Sequence, residues 1–218
     1  MTPPDRAGGG SSGTDPYIDP GTGVLRNRLG ISDPDQLEAA ETDFTAVRLA
    51  GLLQRPLPGN YDLAHLRRFH ERIFGDVYPW AGELRTVVIS KGSTFCLPQH
   101  IESFAADVFG RLAAADMLRG RGRELFIDGL TELLGDLNTL HPFREGNGRT
   151  QRAFCAQLAH DAGHHLRWAA MDPLENVMAS RASLAGDNGP LRTLLERLVD
   201  RLDPTATAPQ PRRPIDGQ

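Results

Sequence analysis

Several common routes to stability and binding are closed to this sequence. Only two cysteines occur among its 218 residues, Cys96 and Cys155, far apart and in no metal-ligand spacing. That excludes a disulfide-stapled scaffold, leaves room for at most one bridge, and fits a reducing cytoplasm. No run of about 18 apolar residues is present, so no segment reads as a membrane span. The opening MTPPDRAGGGSSGTDP lacks the apolar core of a secretory leader. A cytoplasmic protein is therefore expected. Basic residues are not in excess: 24 Lys and Arg face 28 Asp and Glu, a net charge of −4. No global field draws in nucleic acid or anionic lipid, so neither is expected as a direct partner. No internal repeat is found. What remains, 39% hydrophobic and 24% charged residues, is ordinary globular composition, enough for one well-filled core or two small ones.

The two ends differ from the middle. Residues 1–16 are rich in Gly, Ser and Pro, and 203–218 carry four prolines and almost no large apolar side chain. Neither end can bury enough apolar surface to offset the entropy of ordering, so both are expected to be disordered around a folded region at 17–202.

Inside that region the pattern is mainly helical. Ser32 reads as the N-cap of a helix through Leu37, Ala40, Phe44, Val47 and Leu49 to about Leu53, broken by Pro56, Pro58 and Gly59. Asp62 caps a second helix with Leu63, Leu66, Phe69 and Ile73 at helical spacing, stopping near Gly75. Leu84 to Leu97 is β-branched around a Lys91-Gly92-Ser93 turn and reads as a β-hairpin. Residues 99–118 and 125–140 return to helix, the latter with Phe126, Leu130, Leu133, Leu137 and Leu140 on one broad stripe. A helix follows from Arg149 to about Ala162, and a last one over 190–202. Trp80 and Trp168 are expected in the core.

Between those central helices lies His141-Pro-Phe-Arg-Glu-Gly-Asn-Gly. Pro142 lacks an N–H and biases His141 away from helical angles, and the glycines permit a tight turn. The result is a helix, a polar loop and a helix N-terminus, whose unpaired N–H groups favour an anion such as phosphate. Arg149 and Arg152, three apart on one face, are placed to reach that anion. Glu145 beside a phosphate site suits Mg²⁺, which completes its shell with the substrate's own oxygens. Histidine is the residue type whose unperturbed pKa suits proton abstraction near neutral pH, which makes His141 the candidate base. Each feature alone has a bland reading as a cap, a turn or a solvated face; a base, a metal carboxylate, an anion cradle and two guanidinium groups within one dozen residues favour chemistry. A rival is a zinc site at His160 and His164, four apart, with His165 adjacent; Gly163 interrupts that helix and no cysteine completes the site.

The stretch from His141 to Arg152, HPFREGNGRTQR, resembles the Fic signature H-P-F-x-[D/E]-G-N-G-R-x-x-R without a departure. The likeness extends over roughly 17–201. Phe74 to Thr86 is similar to the family's lead-in to its flap, and Val87 to Leu97 to the flap itself. The resemblance implies a mainly α Fic-type helical bundle with a short β-hairpin flap next to the active-site loop. It implies transfer of AMP from ATP, with Mg²⁺, onto a Ser, Thr or Tyr hydroxyl of a protein target. His141 would be the base, Phe143 a buried anchor and Glu145 the metal ligand. Gly146, Asn147 and Gly148 would form the anion hole, and Arg149 and Arg152 would hold the outer phosphates. The flap residues Val88, Ile89, Ser90, Lys91, Gly92, Ser93, Thr94 and Phe95 would dock the target by strand pairing, with Ile89 and Phe95 as apolar clamps; a purely structural hairpin is the alternative. Relatives that move another nucleotide or phosphate itself, and a non-catalytic interaction module, are the rival readings within this fold.

The segment Tyr17 to Asn27 resembles the N-terminal region of Fic toxins from bacterial toxin–antitoxin pairs. Many relatives are silenced by a helix bearing S/T-x-x-x-E-G/N. Here Glu175-Asn176 has Met171 four residues ahead, and Ser183 to Asn188 offers only Asp187 where a glutamate is required. The resemblance thus implies inhibition in trans by a small antitoxin, lodged against the helix at 32–53, and a type II topoisomerase subunit as the kind of target.

Overall fold

Chain entry into the first helix is set by Asp33, whose carboxylate accepts the N–H of Gln36 at 2.9 Å ahead of Pro34 at the first turn. In this computed structural model, which describes residues 15–90 and 94–202, α1 runs Pro34–Gln54. The cap is thus Asp33 rather than Ser32, because a carboxylate one residue later reaches the N3 amide. α1 also buries a different stripe from the expected one. Leu37, Glu41, Thr45 and Leu52 face inward, while Phe44 and Val47 stand 41% and 72% exposed. The helix carries apolar residues on two faces, and the inner one is interrupted by two polar side chains, which hides it from a search for apolar spacing.

Asp62 caps α2 (Leu63–Phe74) through the His65 amide at 2.7 Å, as expected. Helix α3 covers Ile101–Ala114, after a 3-10 turn at Pro98–His100 and before left-handed residues at Asp116, Met117 and Leu118. α4 (Arg123–Leu140) is the central helix and packs against α3 and α5 (Asn147–Asp161), and against α6 (Pro173–Leu184) and α7 (Gly189–Leu198). Its whole expected stripe from Phe126 to Leu140 is buried. At about 25 cal/mol per Å² of apolar surface, each such side chain contributes roughly 1.5–3 kcal/mol of burial.

Neither α6 nor a short strand pair is expected from the sequence. Asp172 caps α6 by accepting from the amides of Leu174 and Glu175, and Ser183 sits in its last turn rather than in a loop. Strands β1 (His164–Leu166) and β2 (Val199–Arg201) pair antiparallel, His164 opposite Arg201, so the final helix ends at Leu198. Trp80 is buried; Trp168 is half-buried, its indole N–H on the Arg152 carbonyl at 2.9 Å. Asp15 and Pro16, placed by sequence in the unstructured end, are anchored: Asp15 pairs with Arg144 at 2.9 Å. The rest of both ends, residues 1–14 and 203–218, lies outside the described residues. Among the described residues no helix is long and apolar enough to cross a membrane, and both cysteines are free thiols.

Candidate active site

The loop from His141 to Gly146 is fixed by backbone constraint before any side chain acts. His141 ends α4 in the left-handed region (φ 39°), its N–H still on the Leu137 carbonyl at 3.0 Å. This is the departure from helical angles that Pro142 demands. Asn147 then braces the loop: its Oδ1 accepts the Phe143 N–H at 2.9 Å and its Nδ2 donates to the Phe143 carbonyl at 2.7 Å. The Asn147 side chain therefore faces into the loop and is committed there, so only its backbone is left for an anion hole. Gly146 turns the chain at φ 80° into α5, whose first intrahelical donor is the Thr150 N–H, 3.1 Å from the Gly146 carbonyl. The N–H groups of Asn147, Gly148 and Arg149 precede it and form the donor end of the helix.

The two arginines part company. Arg149 turns to α1, where it donates to Glu41 and, at 3.2 Å, to the Thr45 hydroxyl, with its guanidinium 4.9 Å above the Phe74 ring. Glu41 is buried and also accepts the Tyr78 hydroxyl. Arg152 is half-buried, and among the described residues its guanidinium has no carboxylate or carbonyl partner. Burial and the neighbouring Arg149 charge lower its pKa. The sequence expectation has both side chains on one anion; the structure turns the Arg149 side chain toward α1 instead.

Glu145 keeps its side chain 41% exposed, with Oε1 on the Gly146 N–H at 2.8 Å. Among the described residues no three His, Cys, Asp or Glu side chains stand together as a metal cage. One accessible carboxylate beside the donor end of a helix is the kind of group Mg²⁺ takes, since that ion needs one or two carboxylates plus waters and phosphate oxygens. The two histidines of the zinc alternative lie in different surroundings. His160 is exposed beside Asp161, whereas His164 is buried against Phe126 with Nε2 3.1 Å from the Arg121 carbonyl.

Two positioning residues escaped the sequence reading. Arg85 is buried, its Nε on the His141 carbonyl and its Nη1 on the Val87 carbonyl, both at 2.8 Å, and its Nη2 on the Cys96 carbonyl. His70 accepts the Gly82 N–H at Nδ1 (2.8 Å) and therefore donates from Nε2 to the Glu145 carbonyl (3.0 Å). It stacks on Phe143 at 3.9 Å. Both sit in stretches that read as plain helix or strand, so only their burial reveals them.

The expected hairpin is reduced to a bridge between Ser90 and Thr94 and a 3.4 Å bond from the Phe95 N–H to the Ile89 carbonyl. Lys91, Gly92 and Ser93 lie outside the described residues. The arms are pinned to the loop and to the end of α4: the Arg85 N–H meets the Pro142 carbonyl and the Cys96 N–H meets that of Thr139, both at 2.9 Å. Val88, Ser90 and Thr94 are exposed and Ile89 half-buried. Phe95 is 5% exposed and stacks on the His141 ring at 3.8 Å, so it orients the imidazole rather than offering an open clamp.

The pattern of the Fic/DOC family matches residues 60–159, which include this loop and its flanking helices. Across 188 residues the chain is 39% identical to the "Probable protein adenylyltransferase y4lH" of Sinorhizobium fredii, covering 85% of this chain and 96% of that protein. The chain belongs to the Fic/DOC family. It is 41% identical over 184 residues to "Protein adenylyltransferase VbhT" of Bartonella schoenbuchensis, covering 84% of this chain but spanning only 38% of VbhT. Among solved structures, the N-terminal Fic domain of a putative cell filamentation protein from Bartonella quintana, with bound ADP, superposes with a TM-score of 0.81 at 27% identity. That match covers 86% of this chain and 95% of the other.

In this Fic chain the glycine of the turn is irreplaceable for two reasons. A Cβ on Gly146 would lie 2.3 Å from the Phe74 ring, and φ 80° is strained for any other residue. Gly146→Ala is expected to cost about 1–3 kcal/mol of stability. It should also move the first turn of α5, weakening nucleotide binding. A thermal melt unchanged from the parent would show that the turn is not under this constraint.

Proposed function

We propose that the chain transfers AMP from ATP to a Ser, Thr or Tyr hydroxyl of another protein, with His141 as the base. The observation that carries this reading is Arg152: a half-buried guanidinium with no anionic partner among the described residues, on the helix whose first N–H groups follow Gly146. A site of that charge calls for a polyphosphate, and the y4lH and VbhT relatives are named protein adenylyltransferases.

His141 takes the proton of the incoming hydroxyl, and the oxygen forms a bond to the α-phosphorus. The bond from that phosphorus to the bridging oxygen breaks, and pyrophosphate leaves. The helix end and Arg152 carry the charge of the leaving phosphates, so positioning and electrostatics do most of the work. Mg²⁺ held by Glu145 would supply further neutralisation of that charge. The exposed backbone around Val88 to Ser90 and Thr94 is the edge on which an extended target segment would pair.

The same proposal extends to a toxin restrained in trans by a small antitoxin with an S/T-x-x-x-E-G/N helix, working in the cytoplasm on a target such as a type II topoisomerase subunit. What supports the trans arrangement is that Asp187 is exposed and accepts the Gly189 N–H at 2.9 Å, well matched to a turn and with no bond to Arg152.

The test is incubation of the purified chain with Mg²⁺, a bacterial lysate and ATP labelled at the α- or the γ-phosphate. Transfer of the α-label alone is expected. Transfer of the γ-label would make the protein a kinase and sink the proposal.

A further inference from the structure

Glu41 is a buried carboxylate on α1, a helix that lies outside the signature and contributes nothing to the loop by sequence. Buried charges are costly unless paired, and Glu41 is paired twice, with Arg149 and with the Tyr78 hydroxyl. Arg149 Nη2 has a second carboxylate in view: Glu145 Oε1, at 4.0 Å. Thr45 takes another of its N–H groups at 3.2 Å, on the α1 side. The Arg149 guanidinium thus stands between two carboxylates, and the buried one holds it.

We propose that Glu41 is a positioning residue for the metal and nucleotide site: by holding Arg149 against α1 it keeps that charge off Glu145 and leaves the outer phosphates to Arg152. This rests on the nucleotide reading of the site and adds a division of labour between the two signature arginines. Its consequence follows from charge alone. With Glu41 neutral, Glu145 is the remaining carboxylate beside Arg149, and the two pair. A carboxylate drawn into an ion pair is a poorer ligand for a divalent cation. Loss of Glu41 is therefore felt first as a raised Mg²⁺ requirement. A purely structural role for the pair would instead lower the melting temperature and leave the Mg²⁺ dependence of the folded protein as it was.

The experiment is calorimetric titration of the whole chain with the β,γ-imido analogue of ATP across a range of MgCl₂, which needs no turnover. The parent is expected to bind the analogue more tightly as Mg²⁺ rises. Glu41→Gln is expected to raise the half-saturating Mg²⁺ concentration by roughly five- to tenfold, the scale of one partly screened ion pair. Its Mg²⁺-free binding should stay close to the parent's. The Glu41→Gln/Arg149→Gln double variant, which leaves no unpaired charge, is expected to return to within about twofold of the parent. If Glu41→Gln does not fold, the double variant and Arg149→Gln carry the test, since both should bind the analogue with parental Mg²⁺ dependence. An unchanged Mg²⁺ dependence in folded Glu41→Gln overturns the proposal. So does a tenfold or greater loss of Mg²⁺-free binding in Arg149→Gln, which would make Arg149 a phosphate ligand. A parent that binds no analogue at any Mg²⁺ level would remove the nucleotide reading itself, and this inference with it.

Discussion

His141→Asn and His141→Ala are each expected to lower AMP transfer by about 10²–10⁴, the usual contribution of a positioned base. Nucleotide binding should change little, because no backbone donor of the α5 end is touched. The two substitutions separate chemistry from fold. His141 sits at φ 39°, in a region asparagine tolerates better than most residues, so His141→Asn keeps the turn at low strain. Its backbone bonds, the N–H to Leu137 and the carbonyl to Arg85, do not depend on the side chain. Stacking on Phe95 is lost in both variants, which costs some stability but moves no donor. Rates measured with α-labelled ATP under single-turnover conditions, beside thermal melts, read the two effects apart. Transfer within about tenfold of the parent in a folded His141→Asn protein would mean that the proton leaves by another route.

How much of this site was open to sequence reading depends on how each residue earns its place. The His141–Arg152 loop was legible because its chemistry is dense and its backbone demands glycine and proline at fixed points. α4 was legible because one face carries an unbroken apolar stripe. Glu41 was not, since a carboxylate in the buried stripe of α1 looks like a solvated position until Arg149 and Tyr78 are brought to it from elsewhere in the chain. His70 and Arg85 act through the Glu145, His141 and Cys96 carbonyls, and a main-chain acceptor leaves no mark on the sequence. The β1–β2 pair is three residues per strand and links positions 33 or more apart, too short and too distant for a local pattern. The orientation of Arg149 is hidden from the sequence for a different reason. Spacing puts Arg149 and Arg152 on one face of α5, but a competing carboxylate on α1 decides where the first one points.

His70 makes the folded state sensitive to acid. Burial, helped by the Arg149 charge and opposed by the bond to the Glu145 carbonyl, pushes its pKa down to about 4, against 6.5 in an unfolded chain. Between those values the unfolded chain takes up a proton that the folded protein refuses. Stability is therefore full above pH 6.5, falls as pH drops through the window, and stops falling below about 4. The difference amounts to about 3 kcal/mol for this one group. His65 and His164 are also shifted down by burial, so they add to the loss in the same direction. The structural reason is specific: a proton on Nδ1 would face the Gly82 N–H that now donates to it. His70→Gln retains one donor and one acceptor but does not titrate. It is expected to be less stable than the parent at pH 7.5, through lost stacking on Phe143, yet to lose less stability between pH 6.5 and 4.5. Denaturant midpoints of the two proteins across that range test this. Parallel pH profiles would show that His70 does not carry the acid response, and would shift it to His65 and His164. A steeper parental profile would tie the acid limit of the fold to the ring that holds the Glu145 carbonyl, so nucleotide binding should fade over the same pH window as the fold.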